Sequence, residues 1–406
     1  MLPNQRLYLL ALNPTDSVTE GFLPAAHRLG LPVTLLTDRP DDHRERCPDG
    51  VDLRKCDVRD FRAVVRLISA DAEPGAVFTN SDHLQTQAAL AAAYFGLPAK
   101  SWRAALRTKD KALMRRHLAS ALPESDRVRS VEVPAGADPA AALGPVADLP
   151  YPCVVKPREG VASEDVVRVD EPGELVARCA EIQGRRPGEA LVVEEFLEGG
   201  LHTLETLGDG RVLHVLGGFR TELSPPPYFI EERLTFVPAH PEPVVTQVLG
   251  QLAALGVGFG ACHTEFVVDA TGRARIVEVN YRAIGDQCDL LLADLLGIPL
   301  FAHILRVHLG EALPADLGAR RGGAAVLDYP YARTSGTLTQ APGPVELAVG
   351  GVTLTYRPLR ETGEWHELHH TNRDLLGVIR ATGPDQGSVD RAVADFRATQ
   401  RWEITP

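Results

Sequence analysis

The stretch from Gly260 to Arg282 constrains this chain more than any other. Polar and apolar residues alternate from Cys262 to Val268 and again from Ala274 to Asn280, the period of two expected of half-buried strands. Thr271-Gly272 between them suits a two-residue turn, because glycine tolerates positive φ. That turn predicts Ala270 opposite Arg273, Glu265 opposite Glu278 and His263 opposite Asn280. Glu265, Glu278, Asn280 and Arg282 then share one face. Two carboxylates directly across a ladder repel each other. A chain carries that cost if a cation sits between them, or if both point freely into water. Three hard oxygen donors beside an arginine look like a site for Mg²⁺ and phosphate.

Composition narrows the partners. A chain of 406 residues has room for two or three domains. No apolar run approaches the length of a membrane span, and Met1 to Arg6 lacks the basic region and long apolar core of a signal peptide. The six cysteines, Cys47, Cys56, Cys153, Cys179, Cys262 and Cys288, form no C-x-x-C pair. They are expected to be reduced and structural, in a cytoplasmic protein. The net charge of −12 argues against a nucleic-acid or anionic membrane surface. A polyphosphate ligand must therefore be held by locally placed cations.

Strand and helix alternate over residues 1–100, which predicts a parallel sheet covered on both faces. No Gly-x-Gly-x-x-Gly follows the first strand, Leu7 to Leu12, so an ordinary dinucleotide site is excluded. Asn13 to Ser17 lies at the carboxyl end of that strand, where doubly wound sheets bind ligands, and it reads equally well as a connecting loop. Residues 101–125 form a helical linker carrying Lys111, Arg115 and Arg116. From Tyr151 the pattern becomes largely antiparallel. Lys156 interrupts a buried strand and needs a partner. The small and polar residues from Gly160 to Val166 suit a loop folded over phosphates. Ala135 to Ala147 reads as a surface helix, and Ser224 to Arg233, with three consecutive prolines, as a long exposed loop of the kind that forms lids. The chain divides into residues 1–100, 101–125, 126–200, 201–320 and a β-rich extension, 321–406, packing on the core. His369-His370 reads as a surface strand pair, and His263 as a packing residue or one that supports a neighbour.

Four features recur in one order: Lys111 in a basic helix, Lys156 before a small-residue loop, Glu194-Glu195-Phe196-Leu197, and the Glu265 to Arg282 hairpin. The set resembles the ATP-grasp superfamily of carboxylate–amine ligases, from an N-terminal α/β pre-grasp domain to about residue 310. Asp110-Lys111-x-x-Met114-Arg115, His263-Thr264-Glu265-Phe266 and Glu278-x-Asn280-x-Arg282-x-x-Gly285 are similar to the branch of L-amino acid ligases and natural-product peptide ligases. The loop from Pro226 to Val237-Pro238 is also similar to that branch.

The resemblance implies a mixed α/β and α+β fold with small (126–200) and large (201–320) ATP-grasp subdomains. It implies that ATP and one or two Mg²⁺, or Mn²⁺, are bound. Lys111, Lys156 and Ser163 would contact phosphates, and Glu194, Glu195, Phe196 and Leu197 would form the adenine hinge. His202 or Glu205 would lie near the ribose. Glu265, Glu278 and Asn280 would hold metal, with Arg282 and Lys156 stabilising the transferring phosphoryl group. Arg220, Tyr228, Glu232, Arg233 and Gly285 would lie toward the acceptor. The implied activity joins a small carboxylate to an amine, of the amino-acid or siderophore-precursor kind, with ADP and phosphate released. The alternative is an ATP-binding sensor of the same fold without ligase chemistry. The pre-grasp domain pairs subunits in relatives, so a homodimer is possible. Glu164 and Asp165 depart from the usual glycine- and serine-rich phosphate loop. Like charge near a triphosphate is unfavourable, so they are expected to point outward.

Overall fold

The computed structural model describes residues 5–144, 149–319 and 323–406. The leader reading of Met1 to Asn4 and the end of the Ala135 to Ala147 helix lie outside the described residues. Among its described residues, Pro139–Leu143 is helical.

The first layer is a parallel sheet of β1 (Arg6–Leu10), β2 (Val33–Thr37), β3 (Asp52–Lys55) and β4 (Pro74–Phe78), ordered β3-β2-β1-β4. Its central strands are buried almost throughout, because helices cover both faces. On one side Tyr8, Leu10 and Leu36 pack on Val64, Ile68 and Ala91. On the other, Leu7, Leu9 and Leu35 join Phe22, Leu292, Phe301 and Leu305 in a core that continues to Leu207 and Phe219. The N-terminal parallel sheet therefore shares one apolar core with the segment that carries the hairpin.

A small antiparallel sheet follows: β5 (Ser130–Val133), β6 (Cys153–Pro157), β7 (Val167–Val169) and β8 (Leu191–Glu195), ordered β5-β8-β6-β7. The helix Pro172–Arg185 closes its core through Leu175, Cys179 and Ile182. Next come β9 (Gly200–Asp209), β10 (Leu213–Leu223), β11 (Glu231–Val237), β12 (Phe259–Val268), β13 (Ala274–Asn280) and β14 (Ala324–Asp328). The C-terminal strands are β15 (Gly336–Gln340), β16 (Val345–Val349), β17 (Val352–Pro358), β18 (Trp365–His366), β19 (Gly377–Gly383) and β20 (Glu403–Thr405).

The C-terminal strands do not form a separate extension resting on the core. They lengthen the large sheet to nine strands, β13-β12-β9-β10-β11-β14-β19-β17-β16, while β18-β15-β20 make a small sheet beside it. Edge pairing of β14 on β11 satisfies backbone groups that would otherwise form an open edge. Among the described residues no single helix is long and apolar enough to cross a membrane. All six cysteines are free.

Candidate active site

The hairpin keeps the predicted pairing at its functional end by a route the sequence did not suggest. His263 faces Asn280 and Glu265 faces Glu278. The turn, however, is longer than two residues. Val268 pairs with Ala274, and Asp269 Oδ1 accepts the amides of Thr271 and Arg273 at 2.9 and 3.1 Å. That slips the register by one, and a bulge restores it: Phe266 pairs with Ile276, so Val277 has no opposite residue. Arg115 supports the bulge, donating Nη1 to the Ile276 carbonyl (2.6 Å) and Nη2 to the Val277 carbonyl (3.1 Å).

Beneath the small sheet's loop lies a cleft of about 240 Å³. Lys111, Lys156, Ser163, Glu194, Glu195, Phe196, Leu197, Glu265, Glu278, Asn280, Arg282 and Gly285 all line it. Lys111 is the first residue of the helix Lys111–Ala121, whose cap is Asp110 accepting the Leu113 amide. Its Nζ donates to Glu278 Oε1 (2.9 Å) and to the Gly160 carbonyl (3.0 Å). Burial works against its charge, but Glu278 outweighs that and raises its pKa. Lys156 reaches Glu194 Oε2 at 2.8 Å, and burial lowers its pKa against that partner. Glu194 is also gripped by Arg115 through two bonds of 2.8 Å. Burial would raise its carboxyl, but Arg115 and Lys156 hold it down to about 2. The Glu194 side chain is thus tied within the wall of the cleft. The amides of Glu195 and Phe196 donate to the Arg129 and Pro152 carbonyls, both at 3.0 Å.

The facing carboxylates each have a cationic neighbour. Glu278 has Lys111, and Glu265 lies 3.5 Å from His263 Nε2. His263 Nδ1 is 2.8 Å from Glu205 Oε1. Burial disfavours the imidazolium, yet Glu205 and Glu265 raise its pKa to about 10. Sequence reading, which gave His263 a packing or supporting part, did not place it in the cleft that it lines beside Glu265. It also missed Glu231, whose carboxyl is pushed up to about 8 by burial and then by Glu265 and Asp286. Strand alternation on β11 was the available signal, since it places Glu231 and Glu232 on opposite faces.

Other expected residues lie elsewhere. His202 does not approach the cleft. It points through the opposite face of β9, where its ring stacks on Phe266 at 5.8 Å and meets His240 edge-on at 5.3 Å. Glu205 sits under His263 and also accepts from Thr203 Oγ1 (2.8 Å). Arg220 pairs with Glu222 at the surface (2.9 Å), and Arg233 pairs with Asp328 and Asp390. Glu232 accepts the Tyr331 hydroxyl at 2.6 Å. Asp16, in the loop after β1, is taken up by Arg46 (2.7 Å), Arg357 (3.0 Å) and Gln287 (2.6 Å).

The proline-rich loop is pinned rather than free. The Arg168 amide donates to the Pro227 carbonyl (3.0 Å), and Tyr228 stacks on His370 with ring centroids 4.2 Å apart. His369 and His370 therefore belong to a loop, not to a strand, and His370 adopts φ +57°. Glu164 and Asp165 turn away from the cleft. Arg186 binds both, at 2.7 and 2.5 Å, Arg185 binds Asp165 at 2.6 Å, and Arg373 binds Glu164. Behind this clamp lies a second, arginine-lined cavity of about 670 Å³.

Residues 149–290 match the family model of the ATP-grasp domain. The uncharacterized protein y4rH of Sinorhizobium fredii is 24% identical over 420 residues, spanning 99% of this chain and 84% of that protein. Among solved structures, L-amino acid ligase from Bacillus licheniformis aligns with a TM-score of 0.77 at 21% identity, over 99% of both chains. Phosphoribosylglycinamide synthetase from Anaerococcus prevotii aligns with a TM-score of 0.69 at 16% identity, over 99% of this chain and 100% of that one. Residues 149–290 thus carry an ATP-grasp domain, and the chain shares its fold from end to end with these solved structures.

Proposed function

We propose that the chain is an ATP-dependent carboxylate–amine ligase, releasing ADP and phosphate. The observation that carries this reading is the meeting, in one cleft, of Lys111, Lys156 and Arg282 with the facing Glu265 and Glu278 and the Glu194 to Leu197 segment. A carboxylate is a poor acyl donor, because its leaving group would be oxide. Phosphorylation by ATP turns it into an acyl-phosphate, from which an amine displaces phosphate. The first step needs charge neutralisation and alignment of the transferring group. Lys111 and Lys156 would hold phosphate oxygens, Ser163 would sit over them, and Arg282 would face the charge that develops. With the Glu195 and Phe196 amides already engaged, reading of the adenine falls to the Leu197 amide.

The donors fit a divalent cation. Glu265 and Glu278 face each other, Asn280 adds an amide oxygen, and the carboxyl of Glu231, raised by burial and then by Glu265 and Asp286, lines the same cleft. Among the described residues no three His, Cys, Asp or Glu side chains form a closed metal cage. Such an open oxygen set suits Mg²⁺ or Mn²⁺ completed by phosphate and water. Glu265, Glu278 and Asn280 would hold it, and when bound it would neutralise charge on the phosphate oxygens. The acid and amine would be of the amino-acid or siderophore-precursor class, and a homodimer is part of this reading.

ADP formation, measured for amino acids and polycarboxylates in pairs, tests the proposal. Release is expected only when both acid and amine are present. Glu278→Ala is expected to lower it by about a hundredfold or more, the scale of lost electrostatic stabilisation at a phosphoryl centre. ATP binding by the wild type without turnover for any pair would favour a sensor instead.

A further inference from the structure

At the end of β13 the chain turns sharply, the Arg282 amide donating to the Asn280 carbonyl at 2.7 Å. This turn presents both residues to the cleft, and it is held from beneath by the pre-grasp region. Lys100, which is buried and does not line the cleft, donates its Nζ to the Tyr281 carbonyl and to Gln85 Oε1 (2.8 Å). The same nitrogen lies 4.6 Å from the centroid of the Tyr281 ring. Asn80, following β4, accepts the Ala283 amide at 3.1 Å. The Tyr281 hydroxyl accepts the amides of Gly258 and Phe259 at 3.2 and 3.1 Å. Gly260 leaves the lysine its space: it adopts φ +72°, and a Cβ there would stand 2.8 Å from Lys100 Cε.

Burying this amine is costly. Burial pushes its pKa down to about 7, and no carboxylate forms an ion pair with it among the described residues. His308, beside it, offers no bond, since both its ring nitrogens are unpartnered. A methionine would fill the same volume without that cost. What the amine adds is a hydrogen bond to the carbonyl immediately before Arg282.

We propose that Lys100, with Asn80, is a positioning residue for Arg282: it fixes the backbone of residues 281–283 so that the guanidinium stands in the cleft. The proposal rests on the ligase reading for what Arg282 does there. In Lys100→Met, kcat is expected to fall ten- to a hundredfold, while affinity for MgADP by calorimetry stays within twofold. Exchange of the Arg282 and Ala283 amides should quicken at least tenfold, while β12 keeps its protection. In an Arg282→Lys background the same substitution should cost less than twofold, because the two act through one group. An unchanged kcat, or a full multiplicative loss in that background, would overturn the role. Wild-type protein that turns over no acid–amine pair would sink the ligase reading alone. Amide exchange unaffected by Lys100→Met would overturn the positioning role however the ligase test falls. If Lys100→Met does not fold, Asn80→Ala carries the same measurements and the same two outcomes.

Discussion

Buried charge in this protein is organised residue by residue. Arg115 joins three elements with one guanidinium: the helix that carries Lys111, the Glu194 strand and the bulge of β13. Its bonds make a buried ion pair tolerable, because each of its three nitrogens meets an oxygen. His308 is the contrary case, with both ring nitrogens buried and unpartnered and its pKa pushed down to about 3, by burial and then by Lys100. An unfolded histidine takes up a proton near its ordinary value of about 6.5, whereas folded His308 does not until far lower pH. The unfolded state therefore binds more protons in that window, and stability falls as pH falls below about 6.5. Urea unfolding at pH 7 and pH 5 checks this: wild type should lose about 2 kcal/mol more than His308→Leu over that interval.

At the scale of elements, the loop from Gly160 to Val166 is poor in glycine and is held by other means. Ala162, Ser163 and Asp165 all adopt left-handed φ of 54–56°, which glycine would accept more readily. Arg185 and Arg186, at the end of their helix, and Arg373, from the C-terminal segment, clamp the acids of this loop. The Asn372 amide adds a bond to the Ala162 carbonyl at 3.3 Å, and Asn372 Oδ1 accepts the Glu231 amide at 3.0 Å. The C-terminal segment thus ties this loop to the rim of the cleft. Arg373 is largely exposed, so its pair with Glu164 contributes at most about 1 kcal/mol. Steady-state kinetics of Arg373→Ala should accordingly show KM for ATP raised by no more than about fivefold, with kcat nearly unchanged.

At the scale of the molecule, the N-terminal parallel sheet and the large sheet are joined by one core. Phe22 and Phe301 meet edge-on at 4.9 Å, and Gly21 makes room for the Phe301 ring, which a Cβ would meet at 2.3 Å. Gly21→Ala should destabilise by about 1–3 kcal/mol, the usual cost of overpacking. Phe301→Leu should recover part of that loss. Calorimetry should show both regions unfolding in one transition, and a separate, earlier melting of residues 1–100 would contradict the shared core.

The sequence by itself determined the local grammar. Alternation placed Glu265, Glu278 and Asn280 on one face, and Lys156 in a buried strand implied a partner. The outward turn of Glu164 and Asp165 followed from the family resemblance together with charge, since acids are unfavourable beside phosphate. Short-range rules sufficed there, because period, sign of charge and buried polarity act over a few residues. Tertiary structure decided whatever depended on which elements meet. Glu194 partners Lys156 and Arg115 across three segments of the chain. His202 lies behind its sheet, and Glu231 rather than Glu232 faces the cleft. The proline-rich loop is pinned because Tyr228 finds His370 far along the chain. Even the hairpin shows the division: the pairing of Glu265 with Glu278 was legible, but the bulge that restores it rests on a guanidinium contributed by a distant helix.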